Sequence, residues 1–288
     1  METRLRIAVQ SKGRLYDETM ELLGESGIKL TAVKRTLLVP SRNFPVELLF
    51  LRDDDIPDSV ASGIADIGIV GLNEVLEKDK NVEILKELGF SRCHLSLAIP
   101  KRIDYTGLEW FNNRKIATSY PVILSKFLKE KGINADIHVI TGSVEIAPGI
   151  GLADAIFDIV SSGSTLVSNN LTEVENVLDS QAVLISSGKK KLIEEKQAIL
   201  DELLFRFDAV KAADGKKYIL MNVPREKLDN VLSVLPGIKS PTILPLANND
   251  WCSIHTVIEE KRFWEIIGRL RAEGAEGILA LDIEKMIL

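Results

Sequence analysis

Residues 153–166, Ala153-Asp-Ala-Ile-Phe-Asp-Ile-Val-Ser-Ser-Gly-Ser-Thr-Leu166, constrain this chain more than any other stretch. Ala155, Ile156, Phe157, Ile159 and Val160 form a short apolar run interrupted by one carboxylate, Asp158. That is the pattern of a strand buried on both faces, as in the parallel sheet of an α/β fold. The strand empties into Ser161-Ser162-Gly163-Ser164-Thr165, which is small, hydroxyl-rich and free to bend at the glycine. Backbone N–H groups and hydroxyls gathered at one strand end suit a phosphate. An ionised carboxylate just before them accepts the hydrogen bonds that sugar hydroxyls donate. Together they suggest a site for a phosphorylated pentose. The same residue types also build ordinary turns, and a lone strand acid also stands at solvent-facing edges.

Upstream, a strand over Arg4–Val9 leads through Gln10-Ser-Lys-Gly-Arg14 into a helix ending near Gly24–Gly27. A basic, glycine-containing loop at a helix N-terminus can hold an anion, and it also reads as a solvated turn. A second strand, Val46–Leu51, ends in Arg52-Asp53-Asp54-Asp55-Ile-Pro57, and a helix is expected from Asp58 with the aspartates capping it. Gly63-Ile-Ala-Asp66 then precedes the strand Ile67–Val70 and Gly71, as Gly151-Leu-Ala-Asp154 precedes Ala155–Val160 and Gly163. The repetition suggests two similar α/β lobes with a ligand cleft between them. Leu95–Ile99 alternates like a crossing strand, Lys115–Tyr120 is another, and Pro121 opens a helix that Gly132 closes. After a strand at Asp136–Ile140, Thr141-Gly-Ser-Val-Glu145 is again small and polar. Arg92, Thr118, Ser119, Ser143 and Glu145 thus fall at strand ends or in loops facing the presumed cleft. Gly149-Ile-Gly151 is followed by Asp154 where a dinucleotide fingerprint needs glycine, which argues against that site.

Ala182–Ile185 reads as a strand returning to the first lobe. Lys189–Ala213 reads as one helix, its apolar face including Leu192, Ile193, Leu203 and Phe207. Asp214-Gly215 ends it, and the remainder has the ferredoxin-like order β-α-β-β-α-β. In that domain the loop Pro236–Thr242 is a candidate effector contact or an ordinary surface turn.

With 288 residues and a net charge of −6, the chain is long enough for two or three domains and lacks the basic character of a general nucleic-acid binder. Its N-terminus has no apolar leader and no stretch reaches membrane-spanning length. Cys93 and Cys252 lie far apart, and His94, His138 and His255 show no metal-ligand spacing. A reduced, cytoplasmic protein without a structural zinc is expected, with neither nucleic acid nor membrane as partner.

Several motifs in one order resemble the long, regulated form of the ATP phosphoribosyltransferase family over essentially the full length. They are Gln10–Leu15, Leu51–Pro57, Asp66–Gly71, Ile116–Pro121, Gly142–Glu145, Asp154–Leu166 and Ser240–Leu246. The order Ser11-Lys12 departs from relatives that carry the lysine beside a proline or before a serine. The resemblance implies an α/β, two-lobed core like a type II periplasmic binding protein, plus a C-terminal ferredoxin-like (βαββαβ) regulatory domain. Residues 1–92 with 180–213 would form one catalytic lobe, 93–179 the other, and 214–288 the regulatory domain. It implies transfer of a phosphoribosyl group from phosphoribosyl pyrophosphate to N1 of ATP, with Mg2+ held largely through substrate phosphates. Asp158, Glu145, Arg14 and Lys12 are the catalytic residues carried over. Gln10, Gly13, Arg52, Asp53, Gly71, Arg92, Thr118, Ser143, Ser161, Ser162, Gly163, Ser164 and Thr165 are those that bind substrate. Inhibitory histidine is expected near Asn222, Ile238, Ser240, Thr242 and Gly277, in a homo-oligomer that cycles between dimer and hexamer. A metabolite sensor without catalysis, or a silent subunit, would share the same cleft.

Overall fold

The computed structural model describes residues 3–30, 36–161, 163–235 and 241–288. They fall into two compact units, Met1–Leu200 and Asp201–Leu288. The first runs β1 (Leu5–Gln10), α1 (Arg14–Glu25), β2 (Leu38–Pro40), β3 (Val46–Leu51), α2 (Ile56–Ala61), β4 (Ile67–Gly71), α3 (Leu72–Lys78) and β5 (Val82–Glu87). It crosses into β6 (Cys93–Pro100), β7 (Lys115–Thr118), α4 (Pro121–Lys131), β8 (Asp136–Val139), β9 (Ala155–Val160), α5 (Ser164–Ser168) and β10 (Leu171–Ser180). The chain then returns through β11 (Ala182–Ser187) and enters α6 (Glu194–Ala213).

Two sheets result, ordered β2-β3-β1-β4-β11-β5 and β10-β6-β9-β7-β8. In each, three parallel strands are followed by one antiparallel strand contributed from the other half of the unit: β11 beside β4, and β6 beside β9. Leaving aside the antiparallel edge strand β2, both sheets therefore place their second, first and third parallel strands in that order, then the exchanged strand, then the last. This is the expected two-lobed α/β core. The crossing points meet where Ser180 of β10 pairs with Cys93 of β6.

The short repeat in the sequence marks equivalent places in the two sheets. Asp66 donates its N–H to Arg6 O at 3.0 Å, and its carboxylate accepts Arg6 N–H at 2.8 Å. Asp154 does the same with Lys115, at 2.8 and 2.9 Å. Gly63 and Gly151 hold nearly the same left-handed φ, 78° and 76°. Each aspartate thus ties the start of a third strand to the start of the first strand beside it. Gly68 of β4 is needed for space, since a Cβ there would lie 2.7 Å from Ile56 Cγ2 and 2.9 Å from Val60 Cγ2.

Local expectations need correction at three places. Helix α2 starts at Ile56, after a single 3-10 turn over Asp53–Asp55, and has no side-chain cap. The carboxylate of Asp54 instead meets Arg52 at 3.1 Å and Lys78 at 3.4 Å. Helix α6 starts at Glu194, so Leu192 and Ile193 precede it, and Ile193 is exposed. The Ser187 hydroxyl accepts the N–H of Lys189 and Lys190 at 3.4 and 3.3 Å, a local turn that competes with helix there. Strands β2, β5 and β10 went unpredicted. Strand β5 is largely exposed, and β10 carries two register shifts that break its alternation.

The second unit follows α6 with β12 (Lys216–Pro224), α7 (Leu228–Val234), β13 (Thr242–Pro245), β14 (Trp251–Glu259), α8 (Glu260–Ala272) and β15 (Glu276–Asp282). Its antiparallel sheet is ordered β13-β14-β12-β15, the ferredoxin-like arrangement. Ile219, Met221 and Val223 alternate into a core with Val231, Ile266 and Leu270 of the two helices. Ile238, Ser240 and most of the loop 236–242 lie outside the described residues.

Candidate active site

Nearly every residue singled out in the first unit stands at the C-terminal end of a parallel strand, where open α/β sheets take ligands. Strand β1 delivers Gln10 to Arg14, β3 delivers Arg52 and Asp53, and β4 delivers Gly71. Strand β7 delivers Thr118, β8 leads to Ser143 and Glu145, and β9 carries Asp158 and leads to Ser161–Thr165. The two sets of strand ends approach one another. Tyr120 Oη, after β7, donates to Glu74 Oε1, after β4, at 3.1 Å, while on the β1 side Arg14 Nη2 donates to Arg92 O at 2.8 Å.

On the β1 side, Gly13 begins α1 at φ 93°, a backbone conformation that a side chain disfavours. Arg14 is half exposed and lies 4.0 Å from Glu18, whose carboxylate also accepts the Ser91 hydroxyl. Lys12 is exposed. Gln10 Nε2 lies 3.4 Å from Asp53 Oδ2, joining the ends of β1 and β3. Arg52 reaches outward, 79% exposed, with Asp54 beside its guanidinium. Gly71 has an ordinary φ, yet a Cβ there would fall 2.3 Å from Asn73 Oδ1. Its smallness makes room for that side chain.

On the β9 side, burial pushes the Asp158 carboxyl up to about 6; the Ile159 N–H opposes this, and the charge of Glu145 adds to it. The two carboxylates thus feel each other. Such a pair suits sugar hydroxyls or a developing positive charge, and it disfavours a bare anion. Ser143 holds a left-handed φ of 53° at the turn that brings Glu145 in. Gly163 holds φ 72° immediately before the one-turn helix α5, leaving Ser161, Ser164 and Thr165 on the surface of the bend. Ser162 lies outside the described residues. Thr118 is fully buried, and its hydroxyl accepts the Tyr120 N–H at 2.8 Å.

In the second unit, Asn222 and Gly277 are neighbours. Gly277 adopts φ 56°, and a Cβ on it would stand 3.5 Å from Asn222 Nδ2. Thr242 lies on the edge strand opposite His255, with β14 between it and β12.

Sequence reasoning missed Asn73, Glu74, Tyr120 and Ser180, which form a buried polar group at the same strand ends. Burial pushes Glu74 up to about 7; Asp53 and Asp54 add to the rise, and Tyr120 and Lys78 oppose it. The available signal was the polar pair Asn73-Glu74, one residue removed from Gly71, and a tyrosine between a strand end and a helix-opening proline.

A family model described as ATP phosphoribosyltransferase matches residues 52–209, and one described as the HisG C-terminal domain matches residues 213–285. The ATP phosphoribosyltransferase of Bacteroides thetaiotaomicron is 68% identical over 284 residues, covering 99% of this chain and all of that protein. That of Cytophaga hutchinsonii is 54% identical over 287 residues, with both chains fully covered. Among solved structures, the ATP phosphoribosyl transferase (HisG:HisZ) complex from Thermotoga maritima matches 70% of this chain and 98% of its own. The TM-score is 0.60, at 26% identity.

Proposed function

The chain belongs to the ATP phosphoribosyltransferase family, and from that premise we propose that the facing strand ends of the first unit are where its two substrates meet. The enzyme transfers the 5-phosphoribosyl group of phosphoribosyl pyrophosphate to N1 of ATP and releases pyrophosphate, the first step of histidine biosynthesis. One observation carries the placement: Asp158, near the end of β9, feels the charge of Glu145 from the turn after β8, just ahead of the Gly163 bend. The bend would grip the sugar phosphate, with Ser143 and Ser161–Thr165 as its contacts. Lys12, Gly13, Arg14, Arg52, Asp53, Gly71, Arg92 and Gln10 would serve the nucleotide and pyrophosphate side, with Thr118 supporting the turn between them.

Adenine N1 is a neutral lone-pair nucleophile at pH 7, so the protein needs no activated serine or cysteine. As pyrophosphate leaves C1, positive charge grows on the ribose ring and negative charge on the leaving group. Asp158 and Glu145 would hold ribose hydroxyls and favour the cationic ring. Arg14, Lys12 and Arg52 would balance the phosphates. Among the described residues no three His, Cys, Asp or Glu side chains converge on one point. A Mg2+ would be held mainly by substrate phosphate oxygens and water, and would neutralise the leaving pyrophosphate.

The remaining assignments follow the same reading. Residues 1–92 with 180–213 and residues 93–179 would be the catalytic lobes. The regulatory part would be 214–288, where Asn222, Thr242 and Gly277, with Ile238 and Ser240, would bind histidine. Dimers and hexamers of one chain, working in the cytoplasm, complete it; no described helix is long and apolar enough to cross a membrane. The test is pyrophosphate release from ATP and phosphoribosyl pyrophosphate with Mg2+. Release by the parent and its collapse in Asp158→Asn are expected; equal release by both would remove Asp158 from the site.

A further inference from the structure

Helix α3 makes contacts that its place in the first sheet does not require. Asn73 and Glu74, in its first turn, are buried to 5% and 7% exposure. Glu74 Oε1 accepts from Tyr120 Oη at 3.1 Å and from Asn73 Nδ2 at 3.0 Å. Asn73 Oδ1 accepts from the Ser180 hydroxyl at 2.9 Å, and Asn73 N–H returns a bond to Ser180 Oγ at 3.1 Å. One turn on, Glu77 accepts the N–H groups of Val122 and Ile123, each at 3.0 Å, and so caps α4. One short helix of the first lobe therefore holds a side chain of the second lobe, the start of a helix of the second lobe, and the crossing point between lobes.

Tyr120 is the pivotal partner. Its own N–H is tied to Thr118 at the end of β7, and its hydroxyl feels the charges of Glu74, Asp158 and Asp53. Holding that hydroxyl fixes the β7 end against the β4 end. We propose that Glu74 is a positioning residue for the transfer, acting through the Tyr120 hydroxyl to set the separation of the two halves of the cleft. This rests on the cleft being where the substrates meet. Two donors converge on one oxygen, Oε1, and the ionised carboxylate accepts them more strongly than the protonated one. The groups facing it are Asp53 and Asp54 after β3, Lys78 on α3, and Tyr120.

A misplacement of reactants by a fraction of an ångström reduces turnover while leaving each substrate's binding largely intact. Pyrophosphate release by the full-length enzyme, its Glu74→Gln, Tyr120→Phe and double variants, measured from pH 5.5 to 8.5, tests this. Each single variant is expected to lose on the order of tenfold in kcat with KM for both substrates within about twofold. The double variant should be no worse than either single, because the pair acts as one unit. Parent kcat should rise with pH through about 7, where Glu74 ionises, and that part of the rise should vanish in Glu74→Gln, leaving the rise near 6 that Asp158 contributes. Independent, multiplying losses, an unchanged kcat in Tyr120→Phe, or a parent profile retained in Glu74→Gln would each overturn the role. Should Glu74→Gln fail to fold, Tyr120→Phe decides alone, since it removes one oxygen. A parent that releases no pyrophosphate would sink the functional reading itself, which is a different result from active parent and active variants.

Discussion

Asp158 and Glu74 share one physical situation: each carboxyl is withdrawn from water, half-buried for Asp158 and buried for Glu74, with another acid nearby, so its proton is held above the ordinary carboxylate range. The folded chain therefore binds these protons more tightly than the unfolded chain. Stability from each is fully present below the ordinary carboxyl pKa and is lost as pH rises toward about 6 for Asp158 and about 7 for Glu74. Glu74→Gln, with no charge to bury, should gain up to about 3 kcal/mol over the parent between pH 4.5 and 8. Paired thermal unfolding at several pH values checks it; a constant difference between the two proteins would contradict the burial argument. Asp158→Asn should cost turnover about a hundredfold with little change in ATP affinity, read by steady-state kinetics and calorimetry. Asp158 stood out in the sequence because it is the single acid inside the apolar run Ala155–Val160 and leads directly into a hydroxyl-rich bend. Glu74 was not, because an acid in the first turn of a helix is what the helix dipole favours anyway.

Two glycines separate the contributions of backbone and packing at the scale of elements. Gly163→Ala meets no atom within 4 Å, so its cost is the left-handed conformation alone, about 1 kcal/mol. It should also raise KM for phosphoribosyl pyrophosphate, since the bend it stiffens is the proposed phosphate grip. Gly68→Ala instead drives a methyl into Ile56 and Val60, and about 1–3 kcal/mol of stability should go without a matching change in KM. Urea unfolding of both variants distinguishes them. Strands β3, β4 and β9 and helix α4 could be read directly because apolar runs bounded by Gly, Pro or acids state their own limits. Strand β10 could not, since its bulges shift the register twice, and β5 could not, since its partners rather than its own residues make it a strand. The start of α6 was set by a serine turn that periodicity does not register.

For the molecule as a whole, catalysis and feedback are assigned to different units. Asn222→Ala is expected to raise the histidine concentration for half-inhibition by about tenfold or more, the loss of one charge-assisted bond. Pyrophosphate release titrated with histidine measures it, and an unmoved half-point would place the effector elsewhere. The chain's own residues determined the α/β class, the ferredoxin-like second unit, the repeated Gly-x-Ala-Asp start of β4 and β9, and the acid-led bend at the end of β9. These are local facts, written in composition and periodicity over a few turns of chain. The crossing strand β6 and the returning strand β11 were legible too, but only the folded chain decided that they lie antiparallel beside β9 and β4. It alone put Tyr120 against Glu74, 46 residues away in sequence, and buried that carboxylate at the meeting of the lobes. The reason is that pairing and burial depend on which surfaces close over a residue, and a sequence states each residue's chemistry without its neighbours in space.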